Sequence, residues 1–348
     1  MLKKFIASKF CDREGRGLVK LIPALRHRFH LHYGINLPTV PYAGAFTTEQ
    51  RSAAEQALEQ LKAAAQANYD SNNPIPHTIW LYWNTPLEQA PHVVQQSLKT
   101  WRYLNPNHKV VFLTDQNLND TLGFDFNAVF KLATVNLGYA MKADILRLYL
   151  LSQYGGIWAD TTTFCLNPLD KWLAQETQQT GIFTFRHEQN QTRPVEAWFI
   201  AAQQGHPVIT QTLALFLEHL FKPRKMALKV SNRIKTIGRS DTENTRFFAD
   251  VVYHAERKGF MPYFSVGYFF NQAFQRQPGL WETFTQMNNQ HANHGTPLEM
   301  TRHALVSKQT YKKDYQQSDM YRERVALSDT LIEGQTPNEE GSDPINVT

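Results

Sequence analysis

Three residues in one short stretch have the types and spacing to do chemistry: Asp144, Arg147 and Asp160. Asp144 and Arg147 stand three apart in a run of helix formers, so they share one helix face. Most of Met141 to Tyr154 is apolar, including Ile145, Leu146, Leu148, Tyr149, Leu150 and Leu151. A helix apolar on nearly every side is expected to be buried, and burying a carboxylate and a guanidinium is costly unless they are paired. Asp160 supplies hard oxygen chemistry, suited to Mg²⁺ or Mn²⁺ held against a diphosphate. Arg147 offers a fork of donors for hydroxyls or phosphate, and Asp144 can accept from sugar hydroxyls. The same residues also read more plainly, as an ion pair within a helix and an Asp that caps a turn.

The local elements decide where these groups point. Gly155 and Gly156 end the helix by supplying left-handed backbone. Ile157 to Ala159 is a short β-like run, and Asp160, followed by Thr161, Thr162 and Thr163, leaves its end. In an open α/β sheet, ligands bind outside the carboxyl ends of the strands.

The pattern K-A-D-x-x-R-x-x-x-L-x-x-Y-G-G-x-W-x-D-T-T, from Lys142 to Thr162, resembles the signature of the capsular polysaccharide synthesis glycosyltransferases. These are related to glycosyltransferase family 32 and, more distantly, to the large glucosylating toxins. The resemblance extends to I-P-x-x-I-W-x-x-W (Ile75 to Trp83), to W-F-I-A-A-x-x-x-H-P (Trp198 to Pro207) and to a closing segment, His303 to Lys312. It implies a GT-A fold and a nucleotide-sugar donor, with UDP-sugars favoured. By position, Asp144 and Arg147 would hold the donor sugar, and Asp160 would be the first Asp of a metal-binding D-x-D. The second Asp of that motif falls on Thr162, leaving one carboxylate for a divalent cation, Mn²⁺ or Mg²⁺. Trp83, Asn84, Trp158 and Thr162 join the expected donor site, and a lysine or histidine of the closing segment would touch the diphosphate.

Composition agrees with a folded globular protein. The 348 residues are 42% hydrophobic and 12% aromatic, enough for one large domain or two ordinary ones. Two cysteines, Cys11 and Cys165, make no disulfide framework and no zinc spacing. No apolar run approaches a membrane span, and the N-terminus lacks the apolar core of a secretory signal. The expected location is therefore the cytoplasm, at the inner face of the cell membrane if the N-terminus binds there. The net charge is +5, concentrated in an opening segment where Lys3, Lys4, Lys9, Arg13, Arg16, Lys20, Arg26 and Arg28 alternate with apolar residues. Such a segment suits either an anionic membrane surface or a helix packed on the catalytic domain. No nucleic-acid motif is recognisable, so no nucleic-acid partner is expected. A second basic block runs from Phe221 to Arg239.

Taken in order, the chain alternates strand and helix with short connections, which predicts an α/β fold: a mostly parallel, GT-A-like sheet flanked by helices. Expected strands are His77–Trp83, Lys109–Thr114, Gly181–Phe185 and Ala197–Ala201; expected helices are Thr48–Ala67, Pro91–Leu104, Asn127–Val135 and His206–Phe221. Asp115 sits at a strand end and suits either a site or a turn. Asp250 and His254, four apart, suit a base and its orienter or a helix-surface pair. The aromatic run Phe260 to Phe274 suits core or a sugar platform. The domains expected are a basic helical extension over residues 1–72, a catalytic domain over 73–312, and a partly disordered tail over 313–348. The function expected is transfer of a sugar from a nucleoside-diphosphate donor to a glycan or lipid-linked glycan. The alternatives are a non-catalytic glycan- or membrane-binding protein on the same fold, or a glycoside hydrolase.

Overall fold

The structure is a computed structural model and describes residues 47–187, 195–224, 228–231, 252, 255–256 and 260–334. The basic segment 1–45, most of the second basic block, Asp250, His254 and the tail beyond residue 334 lie outside the described residues.

The eleven described strands are β1 (Thr78–Tyr82), β2 (Lys109–Leu113), β3 (Val135–Asn136), β4 (Gly156–Ala159), β5 (Thr163–Cys165), β6 (Ile182–Arg186), β7 (Val195–Ala202), β8 (Leu228–Ser231), β9 (Phe260–Pro262), β10 (His291–Asn293) and β11 (Val306–Lys308). The longer helices are α1 (Thr48–Ala64), α2 (His92–Leu104), α3 (Tyr139–Gln153), α4 (Pro207–Phe221), α5 (Ser265–Gln275) and α6 (Asp319–Glu333).

The central sheet has the order β2-β1-β4-β7-β6. β1 runs parallel to both β2 and β4, with Trp80 opposite Trp158. β7 is antiparallel to β4 and to β6. The carboxyl ends of β1, β4 and β6 therefore meet the start of β7 at one edge. Two small sheets, β10-β11-β5 and β3-β8-β9, add to it. The expected class is the one observed: α/β, rich in parallel pairing and flanked by helices.

α3 is buried along most of its length, from Asp144 to Ser152, as its composition requires. It stops at Gly155 and Gly156, with φ of +67° and +99°. A Cβ on Gly156 would lie 2.6 Å from the Thr78 carbonyl oxygen, so β4 can pair with β1 only because that residue has none. α1 buries Ala54, Ala57, Leu61 and Ala64, one face at helical spacing, and packs on α3 and α4. Its N-cap is Thr47, in a reciprocal capping box with Gln50. This helix, assigned by sequence to the extension, is part of the core.

Two further differences concern local chemistry. Residues expected as a helix over Asn127–Val135 form a 3-10 helix, Phe126–Leu132, capped by Asp125, and then β3. Residues 313–333, expected within a partly disordered tail, carry a short helix and α6. α6 is tied to α2 by Gln96, which donates to Ser328 at 2.8 Å, and by a 2.8 Å ion pair between Lys99 and Asp329.

Candidate functional site

A cleft of about 710 Å³ opens at the sheet edge where β1 and β4 end. All seven residues expected at the site line it: Trp83 and Asn84 after β1, Asp144 and Arg147 on α3, Trp158 on β4, and Asp160 and Thr162 in the turn that follows. Asp115 is placed differently. It accepts the Tyr82 hydroxyl at 2.6 Å, so it supports a cleft-lining residue rather than facing the cleft itself.

The Asp160 turn is fixed by its three threonines. Thr161 donates to the Tyr82 carbonyl at 3.0 Å and holds the turn to β1. Thr163 donates to the Asp160 carbonyl at 2.7 Å and accepts the Trp101 indole N–H at 3.1 Å, which holds it to α2. Thr162 lines the cleft, and there its hydroxyl accepts from the Lys308 ammonium at 2.8 Å.

The floor of the cleft is one charge network. Arg147 Nη2 lies 3.0 Å from Asp144 Oδ1 and 3.2 Å from Asp160 Oδ1. Its Nη1 donates to the Ala197 carbonyl at the start of β7, and its guanidinium covers the Trp158 ring at 5.1 Å. The Trp158 indole donates to Asp160 Oδ1 at 2.9 Å. With 1% of its surface exposed, Trp158 is a platform behind Arg147 and Asp160 rather than a free aromatic face. Burial pushes the Asp144 carboxyl up to about 6 against the pull of Arg147. Asp160 goes the other way: burial acts to raise it, but Lys308 and Arg147 outweigh that and hold it low.

A sequence profile described as "Capsular polysaccharide synthesis protein" matches residues 46–228, more than half of the chain. The chain belongs to this family. An initiation-specific alpha-1,6-mannosyltransferase of Candida albicans is 25% identical over 181 residues, covering 46% of this chain and 47% of that protein. Its namesake in Saccharomyces cerevisiae is 32% identical over 116 residues, covering 31% of this chain and 24% of that one. The chain thus spans less than half the length of these curated relatives. A solved structure titled PaToxG Glycosyltransferase covers 83% of this chain and 98% of its own at 18% identity, with a TM-score of 0.32.

Glu196 on β7 and Tyr139 at the start of α3 are cleft residues that the sequence reading did not single out, whereas Tyr263, after β9, comes from the aromatic run read as core or a sugar platform. Glu196 accepts the Trp198 indole N–H at 2.8 Å. Burial pushes the Tyr263 phenol up, and Asp144 and Asp160 add to the effect. The closing segment does deliver its lysine: Lys308 lines the cleft, 2.6 Å from Asp160 Oδ2.

As arranged, these residues do not fit a divalent cation. Mg²⁺ and Mn²⁺ ask for several oxygen ligands. Asp160 is the lone carboxylate of its motif, and both its oxygens are engaged by Trp158, Arg147 and Lys308. The hydroxyl at the second position is engaged by Lys308 too. Among the described residues, no group of three or more His, Cys, Asp or Glu is placed to hold a metal. A dication would also stand against two cations, each costing about 4 kcal/mol per unit charge at ~4 Å and intermediate dielectric.

Proposed function

We propose that this chain is a glycosyltransferase of capsular or other surface polysaccharide synthesis. It moves a sugar from a nucleoside-diphosphate donor, a UDP-sugar first among them, to a hydroxyl of a glycan or lipid-linked glycan. The bond from the anomeric carbon to the diphosphate breaks, and one to the acceptor oxygen forms. The hydroxyl proton leaves to the diphosphate or to solvent. The work takes place in the cytoplasm, and the basic segment 1–45 is the part suited to anionic lipid at the inner face of the membrane.

The observation that carries this reading is the convergence of Asp144, Arg147 and Asp160 in one cleft outside the strand ends. A largely buried network of paired charges is held in place, and pre-positioned donors and acceptors can orient a sugar with little reorganisation. Trp83 and Asn84 line the cleft at the β1 end, and in this reading they contact the base or ribose, since an aromatic face can stack on a base. The names of the fungal relatives support sugar transfer as the reaction class. The arrangement also favours transfer over glycoside hydrolysis. A hydrolase needs a scissile bond between its two carboxyls, and here Arg147 fills the space between Asp144 and Asp160.

The test is calorimetric titration of the full chain with UDP, GDP, CDP and their common sugar conjugates, with Asp160→Ala as control. Binding of one nucleotide class that weakens in the variant is expected. Failure of every nucleotide to bind overturns the reading in favour of a non-catalytic glycan- or membrane-binding protein.

A further inference from the structure

Lys308 comes from the far end of the chain, and three features fix it at Asp160. β11 pairs antiparallel with β5, setting Lys308 opposite Thr163. The next residue, Gln309, donates its backbone N–H to the Thr162 carbonyl at 2.7 Å. The Gln309 side chain is buried, donates to the Ser307 hydroxyl at 2.7 Å and accepts from the Tyr315 hydroxyl. The strand around the lysine is therefore held on both sides, and only the lysine stem is left to move.

The ammonium carries three donors. One reaches Asp160 Oδ2 at 2.6 Å and one reaches Thr162 Oγ1 at 2.8 Å. The side chain is 24% exposed and opens into the cleft, which leaves the third donor for a ligand. These two partners are the two D-x-D positions, Asp160 and the Thr162 that replaces the second Asp. The charges agree with the geometry. Asp144 and Asp160 bring two negative charges, and Arg147 and Lys308 bring two positive ones, so the network is neutral as it stands. A second carboxylate at position 162 would leave it negative and in need of another cation. With threonine there, the lysine completes it.

We propose that Lys308 takes the part of the divalent cation, its ammonium bridging the Asp160–Thr162 turn to the donor's diphosphate, so that the donor binds without metal. The inference rests on the nucleotide-sugar reading above. Lys308 keeps its bond to Asp160 and adds one to a phosphate oxygen, offsetting charge on the diphosphate as it departs. Thr162 is then not a weakened metal ligand but the neutral half of a lysine site.

The experiment titrates full-length wild type, Lys308→Ala and the double variant Thr162→Asp/Lys308→Ala with the nucleoside diphosphate that wild type binds. Each titration is run in EDTA and in MnCl₂. Wild-type affinity is expected to be the same in both buffers, and Lys308→Ala to bind roughly tenfold or more weakly in EDTA, the loss of one charge-assisted contact. The double variant, its carboxylate pair restored, should regain affinity only with Mn²⁺. Wild-type binding that is lost in EDTA and restored by Mn²⁺ overturns the lysine inference and leaves the nucleotide-sugar reading standing. Binding of no nucleotide in either buffer overturns both. The wild-type comparison needs no variant to fold.

Discussion

The Trp158 indole N–H donates to Asp160 Oδ1 at 2.9 Å, from a ring that is itself buried under Arg147. The carboxylate is thus aimed by its neighbour two residues back, on the same face of the strand end. Trp158→Phe keeps most of the ring and removes the donor. A hydrogen bond to a charged group is worth about 1.5–3 kcal/mol, so donor affinity should fall roughly tenfold. The control is Trp80→Phe, which also removes a buried indole N–H, here one that donates to the Gly155 carbonyl at 2.9 Å. Both variants should lose thermal stability. Calorimetry should show lost donor binding in Trp158→Phe alone, and equal binding losses would refute the aiming role.

Asp144 predicts a pH dependence. It faces Arg147 on its own helix, Asp160 across the turn and Tyr263 after β9. Burial raises its carboxyl to about 6, so it gains a proton as pH falls through that value and ceases to be a charged acceptor. Affinity for the sugar conjugate should drop below pH 6 by up to about tenfold per unit, whereas the bare nucleotide should lose less. The sign for stability is opposite. A folded-state value raised from the ordinary 3.8 to about 6 contributes stability that is fully present below 3.8 and lost as pH rises through about 6. Asp144→Asn should flatten both profiles, the first read by calorimetry and the second by urea unfolding. Unchanged profiles in the variant would assign the titration to another group.

The sequence made the first half of this site legible because it is local. Asp144, Arg147 and Asp160 lie within one helix, one glycine pair and one short strand, and helical spacing together with the strand end already brings them to one place. Lys308 and Tyr263 come from beyond residue 260, through the β5–β11 register and the sheet β3-β8-β9. No local periodicity encodes such pairings. The antiparallel β7 was equally hidden: its apolar run reads as a strand, but only its direction brings Glu196 and Ala197 to the cleft. The exposure of an aromatic was the weakest signal, since Trp158 reads the same whether its face is free or covered by Arg147.

His206 predicts acid sensitivity away from the cleft. It caps α4, accepting the Val208 N–H at Nδ1 and facing the Thr180 carbonyl through Nε2 at 2.9 Å, which fixes a neutral tautomer. Burial lowers it to about 4, against a weaker upward pull from the Thr180 carbonyl. The unfolded chain then binds the proton more readily, so stability is lost as pH falls from 6.5 towards 4, by about 3 kcal/mol at most. His219, also lowered to about 4 by burial, acts in the same direction. His206→Asn retains a capping side chain and removes the titration. Urea unfolding between pH 7 and 4 should show a shallower acid slope in the variant, and an equal slope would mean that His206 does not contribute.

Gly156 and Gly123 separate two costs that a glycine hides. Both have positive φ, +99° and +78°. A Cβ on Gly123 meets nothing within 4 Å, so Gly123→Ala bears only the left-handed penalty of about 1–2 kcal/mol. A Cβ on Gly156 meets the Thr78 carbonyl oxygen at 2.6 Å, an atom of the β1 backbone that cannot swing aside. Gly156→Ala must therefore push β4 from β1, and Trp158 and Asp160 move with it. It should cost about 3 kcal/mol or more and abolish nucleotide binding in whatever fraction still folds. Gly123→Ala should bind as wild type does. Urea unfolding gives the first comparison and calorimetry the second; equal stability losses would show that the β1–β4 contact yields without strain.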